Sequence, residues 1–494
     1  MGSVKGRLAM GAVWLGGGRV LLNVLSLATT LVLARVLTPV DFGLVALAVT
    51  ASAIVTAFSE LSLSAALIQH PKPTERHYDT AFTLNFLRGL ILALVMLALA
   101  YPIAAFYKDD RLVGIMAVLA GVAFANGLAN PKLVVFSRAL SFQQEFLYTV
   151  ATKAVGSILA IAIALQFKTY WALLAGVVSA QVSGVLISYM LLPYLPRPGL
   201  KHTRELLGFS LWMMAANILQ AIGQRVDTLI LGANVSKETV GHYSFGSQIG
   251  ATPVNETLQP LSKVLFPGFA RLQDQPDRLR EGFLKAQSML VAFCTPIGVG
   301  FALVAEPAIV VTVGEKWLPA VPIVQAIAIL SVMSALSAPV VSLTLATGQP
   351  RLFVKNDVIT LPIRVLLMLG GALWAGVHGL LIGRILGSFV WQWFSINLAK
   401  TVVGASRRAQ LLPCLRPVTA ALFMAGVVFA TRELLLPDPW ASRTIAGLLT
   451  QIVIGGVAYL SYVLLVWVAQ GRPAGLESEA FALANRLRAR FTKG

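Results

Sequence analysis

Long apolar stretches follow one another along nearly the whole of this 494-residue chain, separated by short polar turns. About 20 apolar residues in a helix rise far enough to cross the roughly 30 Å hydrocarbon core of a bilayer. Lipid offers no hydrogen bonds, and a helix satisfies its own backbone within one segment. The pattern predicts fourteen such helices, near 9–34, 42–68, 79–105, 112–135, 146–166, 170–194, 206–232, 239–262, 283–304, 319–346, 352–375, 378–399, 412–431 and 444–470. The segment 239–262 carries Pro253, Glu256 and Pro260; it reads as a kinked helix lining a lumen, with a soluble loop as the alternative. Charged residues are 12% of the chain and hydrophobic ones 57%, with a mean hydropathy of +0.78. That charged fraction is about half the soluble norm. The expected fold class is an all-α polytopic membrane protein. The apolar start is too long for a cleaved signal and is interrupted by Arg19, so it reads as a retained first helix.

Charge sets the expected sidedness. With the N-terminus in the cytoplasm, 25 of the 39 basic residues fall on the cytoplasmic side, 8 fall opposite and 6 lie within spans. Cytoplasmic loops carry the excess of Lys and Arg, so both termini are expected inside. The net charge of +18 is then mostly topology, and no nucleic-acid partner is needed to explain it. The predicted external loops are short, which disfavours a membrane glycosyl polymerase or ligase. Tyr101, Tyr107, Tyr170, Trp171, Trp317, Trp374 and Trp440 fall at the outer surface as an interfacial belt.

A faint internal repeat appears at an offset of 198 residues. "LVLARVLTPVDFG" (31–43) lies over "LILGANVSKETVG" (229–241), and Trp14 lies over Trp212. Two six-helix sets in one orientation suit halves that rock about a central cavity. The expected divisions are lobes at 1–200 and 201–400, two further helices within 401–471, and a basic amphipathic tail at 472–494. Leu476, Leu483, Leu487 and Phe491 give that tail helical spacing on the cytoplasmic leaflet, with a disordered basic tail as the alternative.

Charges inside the spans are the candidate functional residues. They are Arg19, Arg88, Lys153, Arg225, Arg364 and Arg384 against Glu60, Asp227 and Glu256, an excess of about three positive charges. Each costs at least a few kcal/mol at membrane depth, so these groups should face a wet cavity or pair across helices. A cationic cavity favours an anionic cargo, and guanidinium forks suit phosphate. The six cations are thus candidates for cargo binding; snorkelling is the alternative for Arg88 and Lys153. Asp227, Glu60 and Glu256 are candidates for ion coupling, or structural partners of arginines. Arg225 and Asp227 are two residues apart on one helix and point about 200° away from each other, so they should face different things.

Other motifs exclude more than they suggest. No G-x-x-x-x-G-K-[ST] occurs, so no ATP site of that type is encoded. Cys294 and Cys414 form no disulfide framework, and the five histidines are scattered without ligand spacing. "YKDDR" (107–111) reads as a solvated turn rather than a metal site. No metal or cofactor is expected beyond a coupling H+ or Na+.

Four stretches resemble a known family. They are "LARVLTPVDFGLVAL" (33–47), "VLFPGFARLQDQPDRLREGF" (264–283), "VGEKWLPAVPIVQ" (313–325) and "RVDTLILG" (225–232). Together they resemble the polysaccharide-transporter (Wzx-type) branch of the multidrug/oligosaccharidyl-lipid/polysaccharide flippase superfamily, and within it the colanic-acid exporter type. The resemblance implies fourteen helices, with two six-helix lobes in a V around a cationic lumen. It implies movement of an undecaprenyl-diphosphate-linked oligosaccharide across the bacterial inner membrane, driven by protons or sodium. Expected partners are that lipid-linked diphosphate, membrane lipids, and polysaccharide polymerase and glycosyltransferases. A lipid II flippase and a drug/cation antiporter of the same superfamily are the alternatives.

Overall fold

A computed structural model of the chain describes residues 4–59, 63–70, 72–139, 141–435 and 443–471. Glu60, Trp440 and the amphipathic tail at 472–494 lie outside the described residues, as do the side chains of Trp14 and Trp212. Among the described residues there is no strand. The helices fall into two compact units, residues 1–245 with 365–383, and residues 246–364 with 384–494.

The first unit holds α1 (Val4–Val36), α2 (Pro39–Ala57), α3 (Leu63–Gln69), α4 (Glu75–Tyr107), α5 (Arg111–Gly127), α6 (Val134–Arg138), α7 (Phe142–Phe167), α8 (Trp171–Leu191) and α9 (Thr203–Asn234). It also takes the start of α10 (Lys237–Ala270). The second holds the rest of α10, then α11 (Pro276–Leu303), α12 (Ala305–Thr312), α13 (Val321–Ala346), most of α14 (Pro350–Val403), α15 (Arg407–Leu435) and α16 (Ile445–Ala469). Ten of the described helices are long and apolar enough to cross a bilayer, or eleven if the bent α5–α6 pair is one span.

Several expected boundaries shift for identifiable reasons. The stretch 42–68 is not one helix, since α2 stops at Ala57 and Phe58 and Ser59 form a turn. The span 112–135 is broken, with α6 leaving α5 at 60°. Asn130 holds that break. Its side chain accepts from the Lys132 N–H at 2.9 Å and donates to the Ser188 and Leu192 carbonyls at 3.2 and 2.7 Å. Pro131, which follows it, has no N–H to continue a helix. The stretch 239–262 is helical throughout and belongs to α10, which runs on through Pro253, Pro260 and Pro267. The predicted pair 352–375 and 378–399 stands as two helices; α14 covers both, and they are separated by non-helical backbone at Ala375 (φ −142°) and Gly376 (φ 57°).

The internal repeat has a structural counterpart. Helix α1 ends at Val36 and α9 at Asn234, while α2 begins at Pro39 and α10 at Lys237, so both turns coincide at the 198-residue offset. The caps match as well. Thr38 Oγ1 accepts from the Asp41 N–H at 3.3 Å, and Ser236 Oγ accepts from the Thr239 N–H at 3.2 Å. The two copies also touch each other. A Cβ on Gly43 would lie 1.9 Å from the Lys237 carbonyl oxygen, and one on Gly241 would lie 1.8 Å from that of Pro39. Pro39 and Lys237 are themselves equivalent, so the crossing is reciprocal. Small residues let helix backbones approach this closely in a membrane protein, where packing replaces the hydrophobic drive.

Two ion-paired clusters lie outside the spans. The "YKDDR" turn is not simply solvated, because the Asp109 side chain is only 9% exposed. It receives Arg111 Nε at 3.0 Å and Nη2 at 2.8 Å, with Lys237 Nζ at 3.9 Å. The hydrogen bond from Arg111 holds the Asp109 carboxyl below its ordinary range. In the second unit, Glu306 on α12 receives Arg443 at 2.7 and 3.2 Å and Arg432 at 3.4 Å. These pairs tie α12 to α15 and to the entry of α16. The hydrogen bond from Arg443, with the nearby Arg432, holds the Glu306 carboxyl below its usual value.

Gly43→Ala is expected to lower the thermal-unfolding midpoint of the purified protein, with an overpacking cost of about 1–3 kcal/mol. Gly121→Ala, whose Cβ would meet nothing within 4 Å, is the matched control and should not lower it. A carboxyl held low in the folded state adds stability above its unfolded pKa, and that stability is lost as pH falls through the folded value. Glu306→Gln should therefore lower the midpoint at neutral pH, and its curve should converge on wild type in acid. Parallel curves over the whole pH range would contradict the pairing.

Candidate functional site

Helix α9 carries the two charges that the sequence singles out, and it packs against α2, α3 and α4 in the first unit. Arg225 is exposed, and no ion pair or hydrogen bond of its side chain occurs among the described residues. Asp227, two residues on, is 7% exposed. Its Oδ2 accepts from the Tyr243 hydroxyl at 2.8 Å, and its Oδ1 accepts from the Thr228 N–H at 2.7 Å. Tyr243, on α10, is itself 1% exposed. Helical periodicity thus separates the pair, turning the guanidinium outward and the carboxylate inward. A buried carboxylate is tolerable only with such donors.

The other candidates in the first unit are Arg19 on α1, Arg88 on α4 and Lys153 on α7, all half-buried. Lys153 forms no ion pair among the described residues. Arg88 borders a cavity of about 110 Å³ enclosed by α2, α4 and α5. Asn85, Arg88, Gly89 and Leu92 line it from α4 at helical spacing, and Leu119, Val122, Ala123, Asn126 and Gly127 line it from α5. Ser52 and Thr56 complete it from α2. The cavity lies where α4 and α5 touch through glycines: a Cβ on Gly127 would sit 2.7 Å from the Asn85 carbonyl.

The second unit contains Glu256 on α10, and Arg364 and Arg384 on α14, all half-buried. Arg364 lies 3.8 Å from Asp357 one helical repeat earlier, and its guanidinium stands over the Trp391 ring at 5.5 Å. Asp357 is a correction to the sequence reading, which omitted it from the acids within spans. The signal was available: Asp357 and Arg364 are seven apart, and so share a helix face. The second unit also holds an apolar cavity of about 330 Å³, bordered by α10, α11, α15 and α16.

The histidines are not all scattered either. His77 stacks on His202 at 3.8 Å between ring centroids, and His70 lies 4.4 Å from His77. His77 also closes the N-terminal cap of α4, its Nδ1 accepting from the Thr74 N–H at 3.1 Å. Positions 70, 77 and 202 give no sequence signal of this stack, because only folding brings α9 to the start of α4. The stack brings ring faces together rather than nitrogen lone pairs, and no group of three or more metal-ligating side chains suited to an ion occurs among the described residues.

Chains of known role place this architecture. The teichuronic acid biosynthesis protein TuaB of Bacillus subtilis is 26% identical over 82% of this chain and 83% of its own. The succinoglycan biosynthesis transport protein ExoT of Rhizobium meliloti is 25% identical over 89% of each, and the lipopolysaccharide biosynthesis protein WzxC of Escherichia coli 23% identical over 87% and 88%. Among solved structures, the lipid II flippase MurJ in an inward closed conformation superposes with a TM-score of 0.73 at 13% identity, over 94% of this chain and all of its own. An inward-facing multidrug MATE transporter superposes at 0.55 and 14% identity, over 80% and 95%. These likenesses show that the chain shares the fold of those two transporters. A family profile described as "Polysaccharide biosynthesis protein" matches residues 32–322, more than half of the chain. The chain belongs to that polysaccharide biosynthesis protein family.

Proposed function

We propose that this protein is a flippase that carries an undecaprenyl-diphosphate-linked oligosaccharide from the inner to the outer leaflet of the bacterial inner membrane. The cargo would be an exopolysaccharide, capsule or O-antigen repeat unit. The observation that carries the reading is Arg225, an exposed guanidinium with no acid partner among the described residues, set in a long helix of a membrane protein. Membership of a polysaccharide biosynthesis family supports a cargo of this class, and the names of TuaB, ExoT and WzxC fit it. Burying a diphosphate is costly without cations to meet it. Arg225, with Arg19, Arg88, Lys153, Arg364 and Arg384, would supply them, Arg364 less than the rest because Asp357 already faces it.

The topology belongs to the same reading. Adding α9, α10, the bent α5–α6 pair and a second crossing from α14 to the ten apolar helices gives the fourteen crossings read from the sequence. An even count puts both termini in the cytoplasm. Lobes at 1–200 and 201–400 would rock about a central lumen in alternating access. Asp227 is the best candidate for the coupling H+ or Na+, because its carboxylate is buried and bound by Tyr243 rather than exposed. Glu256 and Glu60 are the other candidates.

The MurJ likeness supports a second reading, transport of lipid II, since the two chains share a fold. Complementation separates the two. A host lacking this gene should lose surface polysaccharide while keeping its peptidoglycan. In that host Arg225→Ala should reduce export at least tenfold at equal expression, with partial rescue by Arg225→Lys, which keeps the charge but not the fork. Normal export by well-expressed Arg225→Ala removes the residue from the mechanism. In proteoliposomes, Asp227→Asn should abolish the response of transport to an imposed ion gradient; an unchanged response would rule Asp227 out as the coupling site.

A further inference from the structure

The first-unit cavity has a lining that the diphosphate does not require. Of its polar groups only Arg88 is charged; the rest are the Asn85 and Asn126 carboxamides and the Ser52 and Thr56 hydroxyls. Neither carboxamide has a hydrogen-bond partner among the described residues, and Asn126 is exposed. Each amide can donate two hydrogen bonds and accept two. Two unused amides facing one space therefore offer a dense mixed set of donors and acceptors. Leu92, Leu119 and Val122 add apolar surface to the same lining.

This chemistry selects among the parts of a lipid-linked oligosaccharide. A diphosphate accepts hydrogen bonds only and calls for several cations, whereas this cavity has one. A prenyl chain makes no hydrogen bonds, and beside it the amides would stay unsatisfied. A pyranose ring fits both features, since its hydroxyl or acetamido groups donate and accept at the rim while its C–H face packs on aliphatic side chains. Size agrees. About 110 Å³ is several times the minimum of about 10–15 Å³ that admits one water. The placement is structural as well. The close approach of Gly89 and Gly127 holds α4 and α5 together beside the cavity that Asn85 and Asn126 both line.

We propose that Asn85 and Asn126, with Arg88 beside them, form a glycosyl subsite that reads one sugar of the headgroup and makes transport selective for glycosylated over bare lipid diphosphate. This rests on the flippase reading above. The two asparagines set cargo specificity, while Arg88 beside them stays with the cations that meet the phosphates.

Binding to the purified full-length protein in lipid nanodiscs tests it with two probes. One is the lipid-linked repeat unit extracted from a polymerase-deficient host; the other is undecaprenyl diphosphate. Wild type should bind both, the glycosylated lipid more tightly. The Asn85→Ala/Asn126→Ala double variant should lose at least tenfold in affinity for the glycosylated lipid and stay within twofold for undecaprenyl diphosphate. Unchanged affinity for both probes, or an equal loss for both, overturns the subsite. The single variant Asn126→Ala guards against misfolding, because an exposed side chain is removed without leaving a core cavity; it should show the same selective loss at smaller size. If wild type binds neither probe, the flippase reading itself fails, a result distinct from failure of the subsite alone.

Discussion

A backbone buried in lipid must bond to itself, and everything else in this molecule follows from meeting that demand with helices. Once each helix is self-satisfied, the hydrophobic effect no longer draws helices together, and contact area has to do so instead. The result is visible at the glycine crossings. Gly43 meets the start of α10 and Gly241 meets the start of α2, each at a distance that no side chain could share. Gly89 and Gly127 do the same for α4 and α5. The first crossing joins the two copies of an internal repeat, and the second sets the geometry of a polar cavity. Close packing thus produces both architecture and site.

The same low-dielectric surroundings govern the charges. Asp227 and Asp357, two carboxylates set within long helices, are compensated in different ways. Asp227 takes a tyrosine hydroxyl and a backbone N–H, while Asp357 has Arg364 at 3.8 Å. Outside the spans, Glu306 gathers two arginines and Asp109 is held by Arg111. Arg225 and Lys153 differ, having no acid among the described residues. A cation left without an acid in an apolar chain is costly unless water or a ligand meets it.

Much of this was legible in the residues one at a time. Apolar run lengths predicted many of the helices, and the 198-residue offset predicted paired turns whose helix boundaries coincide in the structure without a register shift. The two-residue spacing of Arg225 and Asp227 was enough to separate their surroundings. Convergence was less visible. Asp357 was within reach, seven residues before Arg364, but it lay beside the cytoplasmic charges of its segment and was passed over. The stacking of His202 on His77 joins positions 125 apart, with no shared motif to flag it. Asn85 and Asn126 are uncharged, so an inventory of intramembrane charges overlooks them.

The sequence by itself determined that this chain crosses a membrane many times, is built on a repeat, and carries more positive than negative charge inside. Those properties are sums over segments, fixed by transfer free energy and helical period wherever the segments pack. Only the tertiary structure decided which charges are matched, where α5 breaks, and which side chains share a cavity. Those properties depend on distances between helices, and the distances are set by where glycines allow backbones to touch.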